Sequence, residues 1–99
     1  MELISITPSS KADKKLMARF RSETGREKVI HFGAAGMDDY TKAHDKEQRE
    51  RYRTRHAKDL KTEAAKTGVS AGALAYYVLW GDSTDLRRNI AAYKRRFGF

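Results

Sequence analysis

The sequence predicts an α+β fold in which a small antiparallel sheet precedes three helices. Three observations predict it. Apolar residues alternate with polar ones before residue 33, the signature of half-buried strands. Capping residues stand ahead of each long stretch after residue 38. Between the two regions lies Gly33-Ala34-Ala35-Gly36, a break in both patterns. A single domain over 1–99 is expected, with strands in 1–33 and helices in 38–99.

The strands come first. Leu3, Ile4 and Ile6 make a short apolar run that Pro8 ends. Leu16, Ala18 and Phe20 alternate with Met17, Arg19 and Arg21, and Val29, Ile30 and Phe32 follow the turn sequence SETGR. Two such runs around a short glycine turn read as a β-hairpin. It places Arg19, Arg21 and Lys28 on the open face and Phe32 in the core.

Three helices follow, at about 45–65, 70–80 and 84–96. Asp45 caps the first, with Gln48 three residues on as in a capping box. At 100° per residue Lys46, Arg49 and Arg53 share one stripe, and Arg51, Arg55 and Lys58 share nearly the opposite one. Asp45 with Arg49 and Glu47 with Arg51 are i,i+4 ion pairs. Tyr52 and His56 lie between the stripes and are expected to pack inward, with the Tyr52 hydroxyl bonded to Asp39 or a backbone carbonyl. Thr67-Gly68 ends this helix. Ser70 caps the next, which is apolar all round in ALAYYVLW and places Leu74 and Trp80 in the core. Asp82-Ser83 cap the last, where Leu86, Ile90, Tyr93 and Phe97 form the inner stripe, so Ile90 joins the core. Arg87, Arg88, Lys94, Arg95 and Arg96 give this helix a second basic surface.

Charge bounds the function. Twenty-one Lys and Arg against 13 acids give a net charge of +8, which favours anionic partners. The absence of cysteine excludes disulfides and Cys-based zinc or redox sites. No apolar run is long enough to span a membrane, and the first residues lack the pattern of a secretory signal. His44-Asp45 suggests metal or phosphoester chemistry, but the three histidines, at 31, 44 and 56, have no second ligand at metal-site spacing. No catalytic residue, metal or cofactor is expected.

Two resemblances add to this. AAKTGVSAGALAYYVLW resembles the helix-turn-helix of bacterial repressors in the spacing of Ala64, Gly68, Leu74 and Val78. Its second helix, however, opens on Ala71, Gly72, Ala73 and Ala75, which cannot reach base edges. Over Val29 to Phe97 the chain carries Phe32-Gly33, Gly36, Asp39-Tyr40-Thr41, His44-Asp45, Arg51-Tyr52, Arg55-His56 and Leu79-Trp80. In order and spacing these resemble a family of small, functionally uncharacterised proteins encoded by large double-stranded DNA viruses of algae and amoebae. The chain departs from that family at Gly72-Ala73-Leu74, where a more aromatic segment is expected. The resemblance implies viral origin, assembly in the host cytoplasm or nucleus, and a place in the virion.

The resulting expectation is a non-enzymatic structural protein, a minor capsid or core-associated component. It would dock on acidic protein surfaces through Lys46, Arg49, Arg51, Arg53, Arg55 and Lys58 of one helix and the five cations of the last. The alternative is a sequence-independent nucleic-acid-binding or packaging protein that uses the same side chains on the phosphate backbone. A helix-turn-helix regulator ranks third.

Overall fold

The computed structural model describes all residues from Met1 to Phe99, which gather into two compact units, Met1–Met37 with Phe99, and Asp38–Gly98. The first is a three-stranded antiparallel sheet in the order β1 (Glu2–Pro8), β2 (Lys14–Arg21), β3 (Glu27–Ala34). Period two decides its faces. Leu16, Ala18 and Phe20 stand opposite Phe32, Ile30 and Lys28 on β3, and Ala18, Phe20 and Phe32 are fully buried. Lys28 therefore shares the Phe20 face and not the open one. Cross-strand partners point the same way, and Lys28 escapes burial at the exposed end of its strand. Arg19 and Arg21 do lie on the open face, where Arg19 Nη1 pairs with Glu27 Oε1 at 3.1 Å. A register shift between Leu3 and Ser5 leaves Ile4 exposed. The hairpin turn closes through Ser22 and Arg26, with Gly25 at φ +85°. The ring of Phe99 lies 5.4 Å from that of Phe20.

The helical unit is more divided than three helices. It contains α1 (Tyr40–Ala43), α2 (Lys46–His56), a 3₁₀ turn (Ala57–Leu60), α3 (Glu63–Lys66), α4 (Ala71–Leu74), a π turn (Ala75–Leu79) and α5 (Leu86–Phe97). The helix expected at 45–65 stops being α-helical at His56, for two local reasons. Asp59 turns back to meet His56, its Oδ2 2.8 Å from Nδ1. Thr62 then adopts an extended backbone and accepts from the Ala65 amide, starting a new turn. The one-turn α3 leaves little of a helix-turn-helix. The helix expected at 70–80 is present but relaxes to π from Ala75. The last begins later than expected, because Asp85 and not Asp82-Ser83 accepts from its first turn.

The core of this unit is Leu74, Val78, Leu79, Trp80 and Tyr93, with Ala65 and Ala73. Ile90 is only half-buried. The deepest residues of α5 are instead Tyr93 and Asn89, at 1% and 2% exposure. No helix is long and apolar enough to cross a membrane.

Candidate functional site

The residues between the sheet and α2 act on the backbone. Asp39, buried, caps α1 by accepting from the Thr41 amide and hydroxyl. His44 ends α1 at φ 56°, and Asp45 caps α2 through the amides of Glu47 and Gln48. Asp39-Tyr40-Thr41 and His44-Asp45 are thus punctuation between helices. No three His, Asp or Glu side chains gather as a metal site.

Helix α2, KEQRERYRTRH, has no aliphatic residue, so polar and aromatic groups must attach it to the unit. Tyr52 lies between two rings, 4.3 Å from Trp80 and nearly parallel at 9°, and 4.2 Å from His56. Tyr52 and His56 therefore face the central helix but stay partly exposed. The Tyr52 hydroxyl makes no hydrogen bond to Asp39 or to a carbonyl. Burial, with the Asp59 charge second, pushes its pKa up to about 12.

Two arginines complete the attachment. Arg49 donates from Nε to the Gly81 carbonyl at 2.6 Å and from Nη2 to Asp82 at 2.7 Å, with Nη1 on Glu50. Arg53 Nη1 donates to the Trp80 carbonyl at 2.7 Å, and its guanidinium lies 4.1 Å over the Tyr76 ring. Both cations sit at the C-terminal end of the central helix, where exposed carbonyls favour positive charge. Neither is a free docking residue, a correction to the stripe expected on α2. Burying their stems at an interface without aliphatic residues turns the heads inward. The expected pairs Asp45–Arg49 and Glu47–Arg51 do not form, since Asp45 is a cap and Arg49 reaches across to residues 81 and 82.

The turn after Trp80 is held from α5. Asn89 Nδ2 donates to the carbonyls of Val78 and Ser83, and its Oδ1 accepts from the Ser83 amide. Tyr93 donates to the Gly68 carbonyl at 2.7 Å from a buried hydroxyl, whose pKa burial raises. A Cβ on Gly68 would come 2.6 Å from the Phe97 ring. The sequence reading missed Asn89 altogether; its only signal was a polar residue on an otherwise apolar stripe.

The remaining expected cations, Lys46, Arg51, Arg55, Lys58, Arg87, Arg88, Lys94, Arg95 and Arg96, are all exposed. They differ in setting. On α2 they alternate with Glu47 and Glu50, whereas Leu86–Phe97 holds five cations and no acid. At 100° per residue Arg87, Arg88, Ala91, Lys94 and Arg95 form one continuous outer face of α5, opposite Asn89 and Tyr93. Arg88 and Arg95 are about 10 Å apart along the axis. Beside this face an open cleft of about 510 Å³ is bordered by Arg53, Arg95 and Arg96, with Tyr77 and Asp82.

The model of a family described as "Family of unknown function (DUF5754)" matches residues 4–56. The match takes in the whole sheet and α2, starting earlier than the resemblance read from Val29 and stopping before Leu79-Trp80. No curated protein and no solved structure matches the chain. The chain belongs to this family of unknown function.

Proposed function

We propose that this member of the family is a non-enzymatic protein that binds the phosphate backbone of nucleic acid without reading its sequence. One observation carries the proposal: the outer face of α5, five cations within Leu86–Phe97 and no acid among them. Cations spaced about one turn apart match a dense polyanion, and each phosphate contact releases condensed counterions. Ala91 in the middle of that face lets the helix axis approach closely. The arginines suit bidentate phosphate contacts.

Docking on an acidic protein surface, ranked first from the sequence, becomes the second reading. Protein interfaces centre on buried aromatic or aliphatic anchors and are depleted of lysine. The large apolar residues left exposed are Met1, Ile4, Val29 and Met37, all in the strand unit, and the face of α5 has none. The viral resemblance fits either reading, as a packaging component or a minor capsid component of the particle.

The test is anisotropy titration of unrelated duplexes against salt. Similar affinities and a linear fall of log K with log salt are expected. The joint Arg87→Gln and Arg88→Gln variant should flatten the slope by about 0.9 per lost phosphate contact. Strong preference for one duplex, or tighter binding to an acidic polypeptide than to DNA at equal salt, would overturn the proposal.

A further inference from the structure

We propose that the cleft beside α5 binds the phosphate monoester of a nucleotide, free or at the end of a nucleic-acid strand. The strand-end case rests on the backbone-binding reading above; the free nucleotide does not.

The cleft's charge and its shape point to the same ligand. Three guanidinium groups, from Arg53, Arg95 and Arg96, border it against one carboxylate, that of Asp82. That carboxylate is already matched, its Oδ1 held 2.7 Å from Arg49 Nη2. Arg95 has no acidic partner, so the cleft keeps an uncompensated positive charge. Arg53 is fixed in advance by the Trp80 carbonyl and the Tyr76 ring, so little side-chain freedom is lost when an anion reaches it. A guanidinium offers phosphate a planar fork of donors.

The volume, about 510 Å³, exceeds what a bare phosphate needs and lies within the usual range for small-molecule sites. The rest of the wall is suited to a base. Tyr77 lies along the cleft, and the Arg96 guanidinium sits 4.7 Å from the centre of its ring. Aromatic rings and guanidinium planes are the surfaces on which unpaired bases stack. The floor is built for closeness. Gly81 lines the cleft at the end of the π turn, and a Cβ there would press on the Tyr77 carbonyl and come within 2.7 Å of Asn89 Oδ1. π turns of this kind occur often at functional sites.

The experiment titrates the full chain with AMP, adenosine, ribose 5-phosphate and inorganic phosphate by calorimetry. AMP should bind at least about tenfold more tightly than adenosine, the value of one lost charged hydrogen-bond contact. It should also bind more tightly than either base-free phosphate. Arg95→Gln and Arg96→Gln, both exposed and expected to fold, should each weaken AMP by about tenfold, whereas Arg87→Gln should not. A single strand bearing a 5′-phosphate, compared with its 5′-hydroxyl twin, distinguishes a strand end from a free nucleotide. Equal binding of AMP and adenosine, or unchanged AMP binding in both variants, would overturn the site. Inorganic phosphate binding as well as AMP would overturn the nucleotide assignment. Retained AMP binding alongside absent duplex binding would sink the backbone-binding function while leaving the cleft standing.

Discussion

Arg53 holds the last turn of the central helix by donating to the carbonyl of Trp80 at 2.7 Å, while its guanidinium rests 4.1 Å over Tyr76. Two residues away, Arg51 points into solvent. Neighbouring arginines on one helix thus do different work. Arg53→Met should cost about 1.5–3 kcal/mol, a drop in Tm on the order of ten degrees. Arg51→Met should stay within about 0.5 kcal/mol. Thermal melts of the two variants check this; equal melting points would contradict the helix-end role.

Gly68 combines φ +85° with a site where a methyl group would meet the Phe97 ring at 2.6 Å. Gly68→Ala should therefore lose more than Gly25→Ala, which has the same φ but open space around it. The common cost is about 1–2 kcal/mol for the left-handed backbone, and crowding adds roughly 1–3 kcal/mol at Gly68 alone. Denaturant unfolding with Phe97→Ala as second mutation measures the share due to the ring. The double mutant should lose less than the sum of the singles.

Tyr52 and Trp80 are stacked, so their truncations should not add. Trp80→Ala should cost about 3–5 kcal/mol from buried volume, and the double mutant with Tyr52→Ala should show a coupling of about 0.5–1.5 kcal/mol. Tyr52→Phe should be nearly neutral, because the hydroxyl has no partner in the protein. A loss of 1 kcal/mol or more in that variant would reveal a hydrogen bond the structure does not contain.

Alkaline pH should destabilise the protein through its tyrosines. In the folded state burial raises the Tyr52 pKa from 10.0 to about 12 and raises that of Tyr93 as well. The neutral forms are thus favoured by folding, so their contribution is complete below about pH 10. It is lost as pH rises from 10 through the folded-state values. Stability measured between pH 9 and 12 should fall, and phenolate absorbance should rise together with unfolding. Tyr52→Phe should make that fall shallower; an unchanged pH profile would contradict the shift.

Much of the fold was legible. Alternation in Leu16–Arg21 and Val29–Phe32 located the hairpin, because period two has few other causes in so short a run. Asp45 and Ser70 were readable as caps for the same local reason. Harder to read was which polar residues turn inward. On a helix without aliphatic residues, periodicity cannot separate Arg49 and Arg53 from Arg51 and Arg55. Only the carbonyls of Trp80 and Gly81, some thirty residues on, decide the matter. Asn89 escaped notice likewise, since its three hydrogen bonds go to the turn and the helix before it. The cleft depends on where the π turn leaves Tyr77 and Gly81, and a local pattern does not distinguish π from α.

The π turn also sets how the chain can change in length. It accommodates one more residue per turn than hydrogen bonds of the α type would require. Excising any residue from Ala75–Leu79 would let the segment relax into a plain α-helix, but everything after it would rotate by about 100° relative to Ser70. The carbonyls of Trp80 and Gly81 would swing away from Arg53 and Arg49, and the following turn would leave Asn89. Between Ser70 and Gly81 the chain can absorb exchanges of side chain more readily than a change of count, so a single-codon deletion there should be more damaging than most missense changes.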